Sequence, residues 1–252
     1  MQYRFVYYLK KYANANRHIL ERIMKIALCF AGQPRFINLM NFGNLTDGHD
    51  VTTYAHFWWD DEYRGDMFAW NSELKYPDDY DPIDHFERRM NPKKLVWEKY
   101  PKFDMSPYKM VSQMEFPLSD DIVRKSIYRQ KCQWTSVKKS VDLVDDEFDM
   151  VIRMRTDLEF PDRVPLQACT GNGLYMMNGS YQAGAGREYC DWFYCGPHKR
   201  VQEFDPLEVF DDFYADGIRH MHELVIETLR SLQIPHSVLD LKAWMMDRSK
   251  IK

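Results

Sequence analysis

A long amphipathic helix that runs straight into an apolar strand is the feature that most constrains what this chain can fold into. Ser119 is an N-cap candidate followed by Asp120 and Asp121, and Val123, Ile127, Trp134, Val137, Val141 and Val144 fall on one helical stripe that ends near Glu147. The residues that follow, Asp149-Met-Val-Ile-Arg-Met-Arg-Thr-Asp157-Leu-Glu159-Phe160, form a β-prone apolar run. A helix delivered directly to a buried strand is part of a βαβ alternation, which predicts a mainly parallel sheet with helices on its faces. Further strands are expected over Ile26 to Phe30, Val51 to Trp59, Leu95 to Trp97 and Gly173 to Met177. Helices are expected over Pro82 to Met90, Pro206 to Ala215 and Met221 to Leu232, the last pair parted by Gly217. The rest of residues 62 to 92 reads as irregular chain, and Tyr181 to Gly186 as a flexible loop.

Composition removes several classes of function. The chain has 252 residues and a formal net charge of −4. That size suits a single catalytic domain, and the charge argues against a nucleic-acid binder, which normally carries a basic surplus. Five cysteines without Cys-x-x-Cys spacing suggest neither a disulfide framework nor a zinc site, and point to a reducing, cytoplasmic setting. No apolar run approaches the roughly 20 residues that span a bilayer. Residues 1 to 23 differ from the rest: Arg4, Lys10, Lys11, Arg17 and Arg22 face a single Glu21, with apolar residues at approximately helical spacing. This basic extension reads either as a helix packed on the domain or as a peripheral contact with an anionic membrane surface. The first is favoured because Met24-Lys-Ile-Ala-Leu-Cys-Phe has the pattern of a first buried strand, which sets the main domain at residues 24 to 252.

The chemistry concentrates at the end of the 149–160 run. Asp157 and Glu159 are spaced i and i+2, so on an extended strand both point the same way and can share a hard divalent cation, Mg²⁺ or Mn²⁺. Arg153 and Arg155 alternate with apolar Ile152 and Met154, and their planar forks suit phosphate oxygens; the competing reading pairs them with acids such as Asp149 or Glu147. His198, His220 and His222 could complete a metal shell, although isolated helical histidines are usually surface residues. There is no Gly-x-Ser-x-Gly elbow, Walker loop or kinase signature.

Taken together, Gln133-Trp-Thr-Ser-Val-Lys-Lys and Phe148-Asp-Met-Val-Ile-Arg-Met-Arg-Thr-Asp-Leu resemble the central signature of bacterial and viral glycosyltransferases of the GT-A fold, including polysaccharide and lipopolysaccharide synthesis enzymes. Lys25-Ile-Ala-Leu-Cys-Phe-Ala-Gly-Gln-Pro-Arg35 resembles their first strand and donor loop, and Cys190-Asp-Trp-Phe-Tyr-Cys-Gly196 their acidic Asp-x-Phe-x-x-Gly segment. The likeness runs over residues 24 to 235, with Glu159 making an Asp-x-Glu variant of the usual Asp-x-Asp. The resemblance implies a Rossmann-like, mainly parallel α/β domain that uses Mn²⁺ or Mg²⁺ to move a sugar from a nucleoside-diphosphate donor to a glycan or glycolipid acceptor. It implies donor contacts at Gly32, Gln33 and Arg35, and an acceptor-side base at Asp191, with Glu223 as a second acidic position. Two rivals remain open: a nucleotidyltransferase of similar fold, which would normally need a more basic first loop, and a non-catalytic glycan-binding module, which would need no metal.

Overall fold

The computed structural model describes residues 23–35, 41–60, 80–113, 117–169, 171–178, 189–239, 241 and 244–245. The basic extension, apart from exposed Ile23, and the Gly184 to Gly186 loop lie outside these residues. In chain order the elements are β1 (Lys25–Gly32), α1 (Gly43–Thr46), β2 (Asp50–Trp58), α2 (Pro82–Met90), β3 (Lys94–Glu98), α3 (Asp120–Asp142), β4 (Met150–Met154) and β5 (Leu158–Glu159). A 3₁₀ turn at Leu166–Ala168 leads to β6 (Leu174–Met177), β7 (Phe193–Gly196), α4 (His198–Glu203), α5 (Leu207–Tyr214), α6 (Met221–Ser231), β8 (His236–Leu239) and β9 (Trp244–Met245).

The described strands build a mixed seven-stranded sheet in the order β3-β2-β1-β4-β7-β6-β8, flanked by helices, which is compatible with a Rossmann-like fold. β1 pairs in parallel with β2 and β4, and β2 with β3. The expectation of a mainly parallel sheet holds except at β7, which runs antiparallel to both β4 and β6. Cys190–Gly196 stands out in the sequence only for its aspartate, with no strand expected there; the buried Phe193-Tyr-Cys run is the signal that points to one.

β1 shows why the centre of this sheet is buried on both faces. Ile26, Leu28 and Phe30 pack into one core with Phe42, Leu45 and Phe86. Ala27, Cys29 and Ala31 point to the other face, where their small side chains complement the bulkier Ile127, Trp134 and Val137 of α3. α2 forms where expected because Asp81 accepts from the Ile83 and Asp84 amides, Pro82 opens the first turn, and Asn91 closes the helix in the left-handed region. No helix among the described residues is long and apolar enough to cross a membrane.

Two sequence readings need correction. Helix α3 ends at Asp142, short of Glu147. Lys93 and Lys94 hold Asp145, and Lys93 holds Asp146, while Asp149 Oδ2 accepts from the Lys25 amide at 2.8 Å, so the chain is drawn off the helix to start β4. The 149–160 run is also not one strand. It breaks at a turn through Thr156 and Asp157, after which Leu158 and Glu159 pair with Met245 and Trp244 in a separate two-stranded sheet. Asp157 therefore occupies a turn, and the alternation that placed it on the same side as Glu159 does not apply.

Candidate functional site

β1 connects toward β2 on one flank, while β4 stands on the other. This change of direction falls between the carboxyl ends of β1 and β4, the position where open α/β sheets receive ligands. Gly32 turns out of β1 at φ 101°, a conformation that glycine adopts without strain. A Cβ built on it would meet nothing within 4 Å, so conformation rather than crowding calls for glycine. The Gly32 amide donates to Ser136 Oγ at 2.7 Å. Ser136 Oγ lies 2.8 Å from His56 Nδ1, and His56 Nε2 lies 3.0 Å from Glu98. Burial lowers the His56 pKa against the opposing pull of Glu98, so the ring is neutral at pH 7 and donates from Nε2. This chain of contacts fixes the first turn to α3 and to the edge of the sheet.

Asp157 follows β4 at the same strand ends. Arg155 donates from Nε at 2.8 Å and from Nη2 at 2.7 Å to its two carboxylate oxygens. Arg35 Nη1 stands 3.9 Å from the Asp157 Oδ2, and the Arg35 amide donates to Thr156 Oγ1 at 3.2 Å, joining the loops after β1 and β4. Burial would raise the Asp157 carboxyl, but Arg155 and Arg35 outweigh it and hold it below the ordinary carboxylate range. The Arg155 guanidinium lies over the Trp192 ring at 5.4 Å. Gln33 Oε1 accepts from the Arg35 side chain at 2.8 Å, and Gln33 also hydrogen-bonds Tyr100, just beyond β3.

Next to this pair, the segment leading into β7 brings Asp191. It is buried, and Gln133 Nε2 donates to its Oδ2 at 2.7 Å. Arg153, fully buried, donates from Nη1 to the Asp191 backbone carbonyl and lies between the Trp134 and Tyr194 rings, 5.7 and 5.8 Å from their centroids. Burial lowers the Arg153 pKa, with Tyr194 and Asp191 opposing, and its Nε and Nη2 have no hydrogen-bond partner. Guanidinium nonetheless remains charged. His222 Nδ1 stands 3.4 Å from Asp191 Oδ1 without a hydrogen bond. Cys190, Asp191 and His222 each offer one ligand atom within 4.8 Å of the others.

The structure thus brings Gly32, Gln33, Arg35, Arg153, Arg155, Asp157 and Asp191 to neighbouring strand ends. Arg155 finds its acid in Asp157 rather than in Asp149 or Glu147. Arg153 is fully buried and donates to the Asp191 backbone carbonyl, so it is a buried support, not an exposed phosphate arm. Glu159 is half-buried on β5, and Glu223 is exposed in the first turn of α6. Among the described residues only His222 of the histidines joins a cluster of metal-capable groups. Sequence reasoning named Gln133-Trp-Thr-Ser only as a signature. Gln133 holds Asp191, Trp134 faces Arg153 and Ser136 holds Gly32, so a helix face carrying polar residues beside an aromatic was the available signal. Tyr100 and Trp192 were missed as site neighbours because aromatic residues are common in cores.

No protein-family model matches this chain, and a search of curated proteins gives no relative.

Proposed function

We propose that this chain is a GT-A-type glycosyltransferase that moves a sugar from a nucleoside-diphosphate donor to a glycan or glycolipid acceptor. The observation that carries the reading is the Asp157, Arg155 and Arg35 cluster at the adjoining carboxyl ends of β1 and β4. A donor diphosphate needs both cations for its oxygens and an anion that can hold a counter-cation, and this cluster supplies both kinds of group. A Mn²⁺ or Mg²⁺ ion, when bound, would neutralise the leaving diphosphate. Asp157 would be its main ligand, with Glu159 the next carboxylate along the chain. The carboxylate form that a cation requires is the form that Arg155 and Arg35 maintain.

In this reading, Arg155 leaves Asp157 for the donor phosphate, and Arg35 joins it from the β1 loop. Both are less than a quarter exposed, with side-chain values of 19% and 20%, so their charges act where water screens them poorly. Gln33 orients Arg35, and Tyr100 offers a ring beside it. Asp191, held by Gln133, takes the proton from the acceptor hydroxyl as it attacks the sugar carbon. Reaction occurs in the cytoplasm, with residues 1 to 23 available for contact with a membrane that carries the acceptor.

The paired geometry of Arg155 and Asp157 favours a second reading, in which Asp157 aims Arg155 and the arginines neutralise the diphosphate without a metal. Calorimetry with UDP and GDP, with Mn²⁺ or with excess chelator, tests both. Binding that needs Mn²⁺ and vanishes in Asp157→Asn supports the metal-dependent transferase. Equal binding in chelator selects the arginine-only route, and no nucleotide binding in either condition sinks both. Incubation with a panel of nucleotide sugars then shows whether slow donor hydrolysis accompanies binding.

A further inference from the structure

We infer that Cys190, Asp191 and His222 form a binding site for a soft divalent cation, of which zinc is the type, separate from the hard-cation position assigned to Asp157. The ligand atoms lie within 4.8 Å of one another. A tetrahedral zinc with bonds of about 2.0–2.2 Å to nitrogen and oxygen holds those atoms about 3.3–3.5 Å apart. The 3.4 Å between His222 Nδ1 and Asp191 Oδ1 matches that edge. It is too poorly aligned to be a hydrogen bond, and His222 Nδ1 is a buried atom without a partner. A buried imidazole nitrogen that stands this close to a carboxylate oxygen without bonding it has the spacing that two ligands of one ion require.

The surroundings hold these ligands in position. Gln133 donates to Asp191 Oδ2, which leaves Oδ1 toward His222, and Arg153 donates to the Asp191 carbonyl. Such outer hydrogen bonds orient a ligating carboxylate and add to affinity. The Cys190 amide donates to the Met177 carbonyl at 3.0 Å, which fixes the backbone from which the thiol projects. Thiolate and imidazole select zinc over manganese or magnesium. Zinc displaces the thiol proton to solvent, and one thiolate with one carboxylate balances the double positive charge, so the occupied site is neutral beside the Arg153 guanidinium. Three protein ligands leave a fourth coordination position for water or an incoming group.

This site is argued without the transferase reading but competes with it for Asp191: the carboxylate accepts a proton only in the metal-free protein, so a soft cation bound here would inhibit transfer. The test uses the full chain stripped with chelator and titrated with Co²⁺, followed by Zn²⁺ displacement, with no nucleotide present. The wild type should bind one Co²⁺ with a thiolate-to-cobalt charge-transfer band and intense tetrahedral visible bands, which one equivalent of Zn²⁺ removes. Cys190→Ser should lose the charge-transfer band, and both it and His222→Gln should bind Zn²⁺ at least about tenfold more weakly. Asp157→Asn should keep the full spectrum. His222→Gln alters a partly exposed helix residue and serves if the buried Cys190→Ser chain does not fold. Absence of a thiolate band in the wild type, an undiminished band in folded Cys190→Ser, or unchanged Zn²⁺ affinity in folded His222→Gln overturns the site. Loss of nucleotide binding with the cobalt spectrum intact would count against the transferase alone.

Discussion

Arg155 reaches Asp157 with two parallel hydrogen bonds of 2.8 and 2.7 Å across only one intervening residue. A fork this close to its carboxylate occupies both oxygens, so a cation that takes Asp157 must exchange with the guanidinium. The exchange is balanced if the released arginine finds a phosphate, which links metal and donor binding in one event.

The first prediction follows from that linkage. Asp157→Asn should abolish Mn²⁺-dependent nucleoside-diphosphate binding. It should also destabilise the fold by about 2–4 kcal/mol, because Arg155 is left in a largely buried position with one acceptor instead of two. Calorimetry and chemical denaturation on the same preparation measure both. Unchanged nucleotide affinity would remove Asp157 from the site.

Acid should narrow the gap between those proteins. The folded Asp157 pKa is lowered, so its contribution is present above the unfolded value of about 3.9 and disappears as pH falls through the folded value. The stability difference between wild type and Asp157→Asn should be constant near neutrality and shrink below about pH 4. Melting curves taken from pH 7 down to 3 show the trend, and a difference that grows in acid would contradict the sign.

Arginine shape should matter more than charge. Arg35→Lys and Arg155→Lys should each weaken nucleoside-diphosphate binding about tenfold or more, since an ammonium cannot donate two parallel bonds. Lysine variants that bind as the parent does would make both arginines purely structural.

The acidic residues of the acceptor side are expected to separate. Asp191→Asn should lower turnover about 10²-fold or more while leaving nucleotide affinity intact, as loss of a general base requires. Glu223→Gln, changed on an exposed helix turn, should stay within about threefold of the parent. Single-turnover kinetics beside melting temperature distinguish these outcomes, and reversed effects would move the base to Glu223.

Removing the hydroxyl of Ser136 should loosen the first turn. Ser136→Ala leaves the buried Gly32 amide without its acceptor and should cost about 1–3 kcal/mol. Denaturant unfolding reads the loss, and an unchanged midpoint would mean that another acceptor replaces Ser136.

Much of this organisation was legible in the chain because local chemistry and tertiary demand agreed. Asp81 and Pro82 specify the start of α2, and the apolar Ile26 to Phe30 run reads as a buried strand, with Gly32 fixing where it stops. Agreement failed where partners were distant. Nothing between Asp149 and Phe160 announces a break, because the pairing that draws Glu159 aside comes from Trp244, far along the chain. β7 likewise goes unread, because a four-residue apolar run carries too little period to mark a strand and its pairing partners are distant. At the site, Arg35 and Asp157 were visible as chemistry, whereas the Arg155–Asp157 pairing and the Gln133 contact with Asp191 are products of turns and helix rotation that no spacing rule encodes.

The pairing of β5 with β9 also sets an order of events. Leu158 and Glu159 must wait for Trp244 and Met245, roughly ninety residues later, before their small sheet can close. On a ribosome adding about 5–20 residues per second, the β1 to β4 sheet can assemble several seconds before that closure. A nascent chain halted before residue 244 would therefore carry the β1 to β4 sheet with Leu158 and Glu159 still unpaired.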